Sequence, residues 1–463
     1  MSKNTNTALK IKKIEPTDEK ITGRAGMSLF KRYSDMTGIC DILAEIFGDL
    51  RKSEKGVEVN SLCKQVLCYF MEGDSLTLTR FDELKKDEAY AGVIEMGRDE
   101  MVSSHSVKRF FRKIGYRRIW RFRGVLQDMF VWRLKVEKPK MIILNIDTMV
   151  MNNDDARERE GVKVTYKGVK GFQPLQMTWG PYIIDAVFRS GDKHSNNKDT
   201  VIKMVRHIVK RIRELLGEEV VIILRSDSGF FDEENFKAFE EMGIGYVCVG
   251  KMYKDIKGYV DSVDRGEFRV YGGGEDGWEY IEFGDRRGVW EKFRRTIYTR
   301  GIWEGRQMLF GFARVESVIY TNLGVDKLIS ERLKKIGEGK LMEAESIIEI
   351  IHGRGKDELV HRALKEFGTE RMPFERFESN AVFYYMMLIA FFLYEAFKRD
   401  VAGKVIDIGC YAETFRRRII DIGAKIVKSG REVIVKIHEA IYKQLRIGYL
   451  WMKSNTAPPI YTS

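Results

Sequence analysis

Three acids stand out among the residues that could do chemistry. Asp147 lies in "NIDT", near the end of the apolar run "MIILNIDTMV" at 141–150. Asp227 lies in "RSDSG", at the end of a second such run, "EVVIILRSDSGF" at 219–230. Short runs rich in Ile and Val read as buried strands. A carboxylate at the end of a buried strand is costly unless it is paired or bound to a metal. In open α/β sheets the carboxyl ends of strands also face the crevice where ligands bind. Two such acids on neighbouring strands make an oxygen-rich pocket, which suits hard divalent cations such as Mg²⁺ or Mn²⁺. Two ions about 3.5–4 Å apart activate an attacking oxygen and stabilise a leaving one on phosphorus. The competing reading is that both acids cap turns, a common use of Asp at strand ends.

The third acid is Glu358, in "IHGRGKDELVHRALKEFG" at 351–368. Gly353 and Gly355 put a helix start near Lys356. With helical geometry reaching back through them, Arg354, Glu358, His361 and Lys365 occupy i−4, i, i+3 and i+7, which is one face. Such a face brings an acid to the pocket with Arg and Lys beside it for phosphates. A charged, solvated helix face is the plainer alternative.

The elements that must position these acids follow from patterning. Residues 1–26 are polar. Residues 27–138 are helical, with apolar residues at three-and-four spacing in "GICDILAEIFGDL" and "VNSLCKQVLCYFMEG". From 139 to 252 strands alternate with helices, which gives an α/β core with parallel pairs. Its parts are the two acid-bearing strands, a strand in "YIIDAVFRSG", an amphipathic helix over 197–217, a helix in "DEENFKAFEEMG" and a strand in "IGYVCVG". Residues 253–317 alternate polar and apolar residues between Gly-rich turns and read as an antiparallel β insertion. "SVIYTNLG" at 317–324 returns to a core-strand pattern, and the second part of the core runs over 318–403. Within it, "AVFYYMMLIAFFLYEAF" at 381–397 is shorter than the roughly 20 apolar residues of a membrane span and reads as a buried core helix. Residues 404–463 form a C-terminal region, with a hairpin around "KSGR" at 423–438.

Composition sets the class. Of 463 residues, 44% are hydrophobic and 32% charged, as in soluble globular proteins. The first 20 residues lack the apolar core of a signal peptide, which implies a cytosolic protein. The five scattered cysteines show neither zinc spacing nor a disulfide framework. A formal net charge of +12 favours a polyanionic partner. The charge concentrates in "HSVKRFFRKIGYRRIWRFRG" at 105–124. There Lys108, Arg109, Arg112, Lys113, Arg117, Arg118, Arg121 and Arg123 interleave with aromatics, as suits phosphate contacts along an amphipathic helix. A helix with an apolar core face and a solvated basic face has the same pattern.

Taken in order, these motifs resemble DDE-class insertion-sequence transposases. "RSDSGFFDEENFKAFEEMGIGYV" resembles their second-acid segment, and "IYTNLG" the strand that re-enters the core after a β insertion. Arg354, Glu358 and Lys365 match three members of the subgroup signature Tyr-x2-Arg-x3-Glu-x6-Lys. "ESNAVFYYMMLIAFFLYEAF" resembles the apolar helix that follows. The resemblance covers roughly residues 140–440. It departs at the signature Tyr, where this chain has Ile351.

The resemblance implies an RNase H-like catalytic core interrupted by the β insertion, behind a helical N-terminal DNA-binding domain. It implies that Asp147, Asp227 and Glu358 hold two Mg²⁺ ions, which Mn²⁺ can replace. A homodimer would bind the terminal inverted repeats of its element, cut double-stranded DNA at their ends, and join the freed 3′-hydroxyl to the opposite strand or to target DNA. Arg354 and Lys365 would contact phosphate near the cut. Trp278, Trp290 and Trp303 are the candidates for stacking a flipped base, against ordinary packing of each. The implied location is a prokaryotic cytoplasm, at the nucleoid, with no membrane. Asp185 is either a buried structural acid or a decoy for the triad. Asp192, His194 and His352 are lesser polar candidates. The rival functions are a DNA-binding protein without catalysis and a nuclease that never joins DNA.

Overall fold

The two acid-bearing runs become adjacent strands of a nine-stranded mixed sheet in a computed structural model of the chain. The structure describes residues 11–50, 56–155, 158–194, 196, 198–272, 277–288, 290–302, 316–353, 355–430 and 432–461, with the backbone alone for 198, 199 and 355–358. The strands are β1 (Met141–Thr148), β2 (Leu175–Trp179), β3 (Tyr182–Val187), β4 (Val221–Ser226), β5 (Gly245–Val249), β6 (Arg269–Tyr271), β7 (Trp278–Asp285), β8 (Arg294–Gly301) and β9 (Glu316–Thr321). Their order across the sheet is β6-β7-β8-β9-β5-β4-β1-β2-β3. β1 pairs with β4, and β4 with β5, in parallel. Every other neighbour is antiparallel. Parallel neighbours need a crossover, and the helix Glu233–Glu241 supplies one between β4 and β5.

The segment at 253–317 differs from a purely β insertion. It opens with a helix, Lys254–Ser262. Its strands do not form a separate sheet either, because β9 pairs with β5 and carries β8, β7 and β6 outward from the core.

Six helices matter for the site and its support: α1 (Ser104–Lys113), α2 (Tyr116–Glu137), α3 (Lys198–Leu216), α4 (Ala344–His352), α5 (Gly355–Phe367) and α6 (Phe377–Phe397). The basic stretch at 105–124 thus falls on two helices, broken at Ile114 and Gly115. Among the described residues α6, with its continuation to Ala402, is the one helix long and apolar enough to cross a membrane, and it is buried within the molecule. A helix hydrophobic all round belongs in a core. Phe70, from the helix Val59–Glu72, and Phe111 of α1 meet Phe383 of α6 edge-on or nearly so. Phe122 of α2 stacks on Tyr385 at 5.8 Å. One apolar cluster therefore runs from Ala25 to Ile460. A second, smaller cluster joins β4, β5 and β9 to Ile347, Ile348 and Ile351 of α4.

The ends of the chain are woven together. The short strand Ile21–Thr22 pairs with β10 (Ala424–Ser429), which forms the expected hairpin with β11 (Glu432–Ile437). Near the C-terminus the Ile460 N–H donates to the Thr37 carbonyl, and Trp132 Nε1 donates to the Pro458 carbonyl.

A small three-stranded sheet follows β1 directly. It consists of Met151–Asn152, Lys163–Val164 and Lys170–Phe172, with Met151 opposite Phe172 and Asn152 opposite Gly171. A Cβ on Gly171 would lie 1.9 Å from the Met151 carbonyl oxygen, so only glycine permits this approach. The five cysteines are free, and all but Cys410 are fully buried.

Candidate active site

The register of β1 against β4 brings the first two acids side by side. The last pair in that parallel ladder is Ile146 with Ser226; Asp147 comes next within β1, and Asp227 is the first residue past β4. Neighbouring strands lie about 4.8 Å apart. Both side chains are half-buried. The Thr148 N–H donates to Asp147 Oδ1 at 2.7 Å, and the Gly229 N–H donates to Asp227 Oδ1 at 2.8 Å. Asp227 is therefore a turn cap as well, at the start of the short helix Ser228–Phe230. The turn thus engages one oxygen of this acid.

Both acids line a cleft of about 670 Å³. One wall comes from the end of α4 and from α5, through Ile351, His352, His361 and Lys365. Trp278, at the start of β7, and Tyr166 with Lys167, from the small sheet, complete it. Glu358 lies in α5, three residues before His361 and seven before Lys365. Its side chain is outside the described residues, and so is Arg354 as a whole. Among the described residues no three of His, Cys, Asp and Glu are grouped to hold a metal.

Arg225 was not singled out by the sequence reasoning, though a charge within an apolar strand was the available signal. It sits opposite Asn145 in the β1–β4 ladder, two residues before Asp227 and so on the same face. The side chain is buried. Its Nε donates to Asn145 Oδ1 at 2.6 Å and its Nη1 to the Ile350 carbonyl at 2.5 Å. It ties the C-terminal turn of α4, just ahead of α5, to the two strands that carry the acids.

The profile described as "Transposase DDE domain group 1" matches residues 7–451. The chain belongs to this family. DDE transposases generally use divalent metal ions, and the large mixed sheet flanked by helices agrees with their fold. No curated protein matches the chain. A similar solved structure is titled "Cryo-EM structure of piggyBac transposase synaptic complex with hairpin DNA (SNHP)", at 12% identity and a TM-score of 0.36, covering 87% of this chain and 81% of that one.

The remaining DDE-type candidates separate by position. Lys365 reaches the cleft, but its Nζ pairs with Glu370 at 2.8 Å, and Glu370 also accepts from the Asn152 N–H. Trp278 lines the cleft with its ring 4.2 Å from that of His352. Shielding of the His352 ring lowers its pKa, against a smaller upward pull from Glu349. Trp290 is not at the cleft; it packs among Phe231, Phe236 and Tyr320 within 6 Å, as a core aromatic does. Trp303 lies outside the described residues. Asp185 is a structural acid. It is fully buried and takes Nε and Nη2 of Arg123 at 2.7 and 2.6 Å. Asp192 and His194 are exposed, and Asp192 bonds Ser190.

On α1 and α2, Arg109, Arg112, Lys113, Arg117 and Arg121 are exposed, while Lys108 and Arg118 are partly covered. Arg118 makes two hydrogen bonds to Asp49. None of these basic residues lines the cleft. Ile351, in the place of the signature Tyr, is 8% exposed and packs in the smaller apolar cluster.

Proposed function

We propose that this protein is a transposase that cuts and joins DNA at Asp147, Asp227 and Glu358. It acts as a homodimer on the terminal inverted repeats of its own element. One observation carries the reading: a single cleft gathers the ends of β1 and β4 with the inward face of α5. The order β3-β2-β1-β4-β5, an antiparallel meander joined to two parallel strands, supports an RNase H-like core.

The three carboxylates are the oxygen donors for two Mg²⁺ ions, with Mn²⁺ as a substitute. Bound divalent cations supply charge for a phosphodiester oxygen and a more acidic water. The chain's own groups do the positioning. The Thr148 and Gly229 N–H groups fix one oxygen of each aspartate. Arg225 holds the end of α4. Arg354 and Lys365 contact phosphates beside the cut. Trp278 offers a stacking face for a base leaving the duplex. The exposed arginines of α1 and α2 bind duplex farther from the cut.

DNA fragments spanning both flanks of the gene test this, incubated with the protein in Mg²⁺, in Mn²⁺ and with chelator. Discrete metal-dependent cuts at a repeated sequence are expected. Asp147→Asn, Asp227→Asn and Glu358→Gln should each lower cutting by more than about a hundredfold, beyond the loss typical of outer-shell partners, with binding retained. Normal cutting by Glu358→Gln would place the third acid elsewhere. Binding without cutting in any metal would make the protein a non-catalytic DNA-binding protein, and cutting without joined product a nuclease.

A further inference from the structure

The hairpin over 163–170 contributes Tyr166 and Lys167 to the lining of the cleft. Its tip is a tight turn. The Gly168 N–H donates to the Thr165 carbonyl, and the Thr165 N–H and hydroxyl both donate to the Val169 carbonyl, all at 2.9 Å. Gly168 takes φ +77°, a conformation that favours glycine. Tyr166 and Lys167 are thus fixed at the tip, and both line the cleft with Asp147 and Asp227. Tyr166 is 64% exposed. Lys163, Lys167 and Lys170 are exposed too, and among the described residues no carboxylate forms an ion pair with any of them. The strand 170–172 pairs with Met151–Asn152, three residues past Thr148. The hairpin is therefore held in register with the strand that carries Asp147.

Lys167 and an exposed Tyr166 at the cleft, with the exposed Lys163 and Lys170 on the flanking strands, fit a polyanion that approaches the acids from outside. Ile351 cannot offer the hydroxyl that the signature Tyr would bring, since it has none and is packed in an apolar cluster. Tyr166 also lines this cleft and carries a hydroxyl.

Resting on the transposase reading, we propose that the 163–170 hairpin is a clamp for the DNA strand being cut. The Tyr166 hydroxyl donates to a backbone phosphate next to the scissile one and acts as a positioning residue. Lys163, Lys167 and Lys170 track the phosphates that follow.

The test uses the full-length protein and a duplex carrying the element's end. Two variants are compared with wild type: Tyr166→Phe, and a triple Lys163→Gln, Lys167→Gln, Lys170→Gln. Their thermal unfolding is followed as a control on folding, which these exposed positions should leave unchanged. Tyr166→Phe should slow single-turnover cutting by about ten- to a hundredfold, as expected for one hydrogen bond to a charged group, and change affinity by less than about threefold. The triple variant should flatten the plot of log affinity against log salt by about 2–3, near 0.9 for each phosphate no longer neutralised. A merely structural role would not move that slope. An unchanged slope together with an unchanged cutting rate, in a preparation whose wild type cuts, would overturn the clamp and leave the transposase reading standing. A wild type that never cuts would remove the reading itself.

Discussion

At the scale of single residues, Arg225 is the most informative side chain. It spans β4, Asn145 of β1 and the carbonyl of Ile350. Arg225→Ala would leave two acceptors without this donor, at about 1–3 kcal/mol for each that stays buried. Urea unfolding should register that loss. DNA cutting should fall further than DNA binding, because the change loosens the turn that leads into α5. Equal stability and equal cutting in the variant would remove Arg225 from the site. The same scale separates what could be read in advance from what could not. Asp147 and Asp227 drew attention because an acid at the end of a buried strand is costly unless paired or bound to a metal, and the ladder sets them at adjacent strand ends. Trp278 and Trp290 were indistinguishable by type and neighbourhood. Only the fold tells them apart, with one ring at the cleft and the other among Phe231, Phe236 and Tyr320. Ile351 could be recognised as a departure, but its packing against Ile347 and Ile348 could not.

At the scale of elements, the small sheet after β1 matters more than its length suggests. Gly171 lets Lys170–Phe172 lie against Met151–Asn152 at a distance no side chain would permit. Gly171→Ala should push the two strands apart, lower stability by roughly 1–3 kcal/mol and reduce cutting. Chemical denaturation and a cutting assay check both, and normal values in both would show that the hairpin does not depend on this contact. Sequence patterning found β1, β4, β5, α3 and α6, where apolar periodicity is long and clean. It missed β2, a five-residue strand closed by Gly180, and the small sheet, whose segments of two or three residues are too short to show a period. It also read Lys254–Ser262 as part of a β region, since Ile256 and Val260 are the only buried residues on that short helix. The pairing of β9 with β5 is long-range and leaves no local mark in the sequence.

At the scale of the whole molecule, the helices before residue 138 and the core after it share one apolar cluster. Phe70, Phe111 and Phe122 all pack on α6. The full chain should therefore unfold in a single calorimetric transition, and a chain starting at residue 139 should aggregate when α6 loses its cover. Two well-separated transitions would show that the boundary near 138 divides independent units. The interlaced termini also bear on timing during synthesis. Arg24 bonds Asp421, 397 residues later, and Ile21–Thr22 has its strand partner in β10. At about 5–20 residues per second, a ribosome needs roughly 20–80 s to make that interval. Through that time the nascent chain carries an unpaired strand and a half-covered core. A copy whose synthesis has not yet reached β10 has no strand partner for Ile21–Thr22 and leaves Arg24 without Asp421.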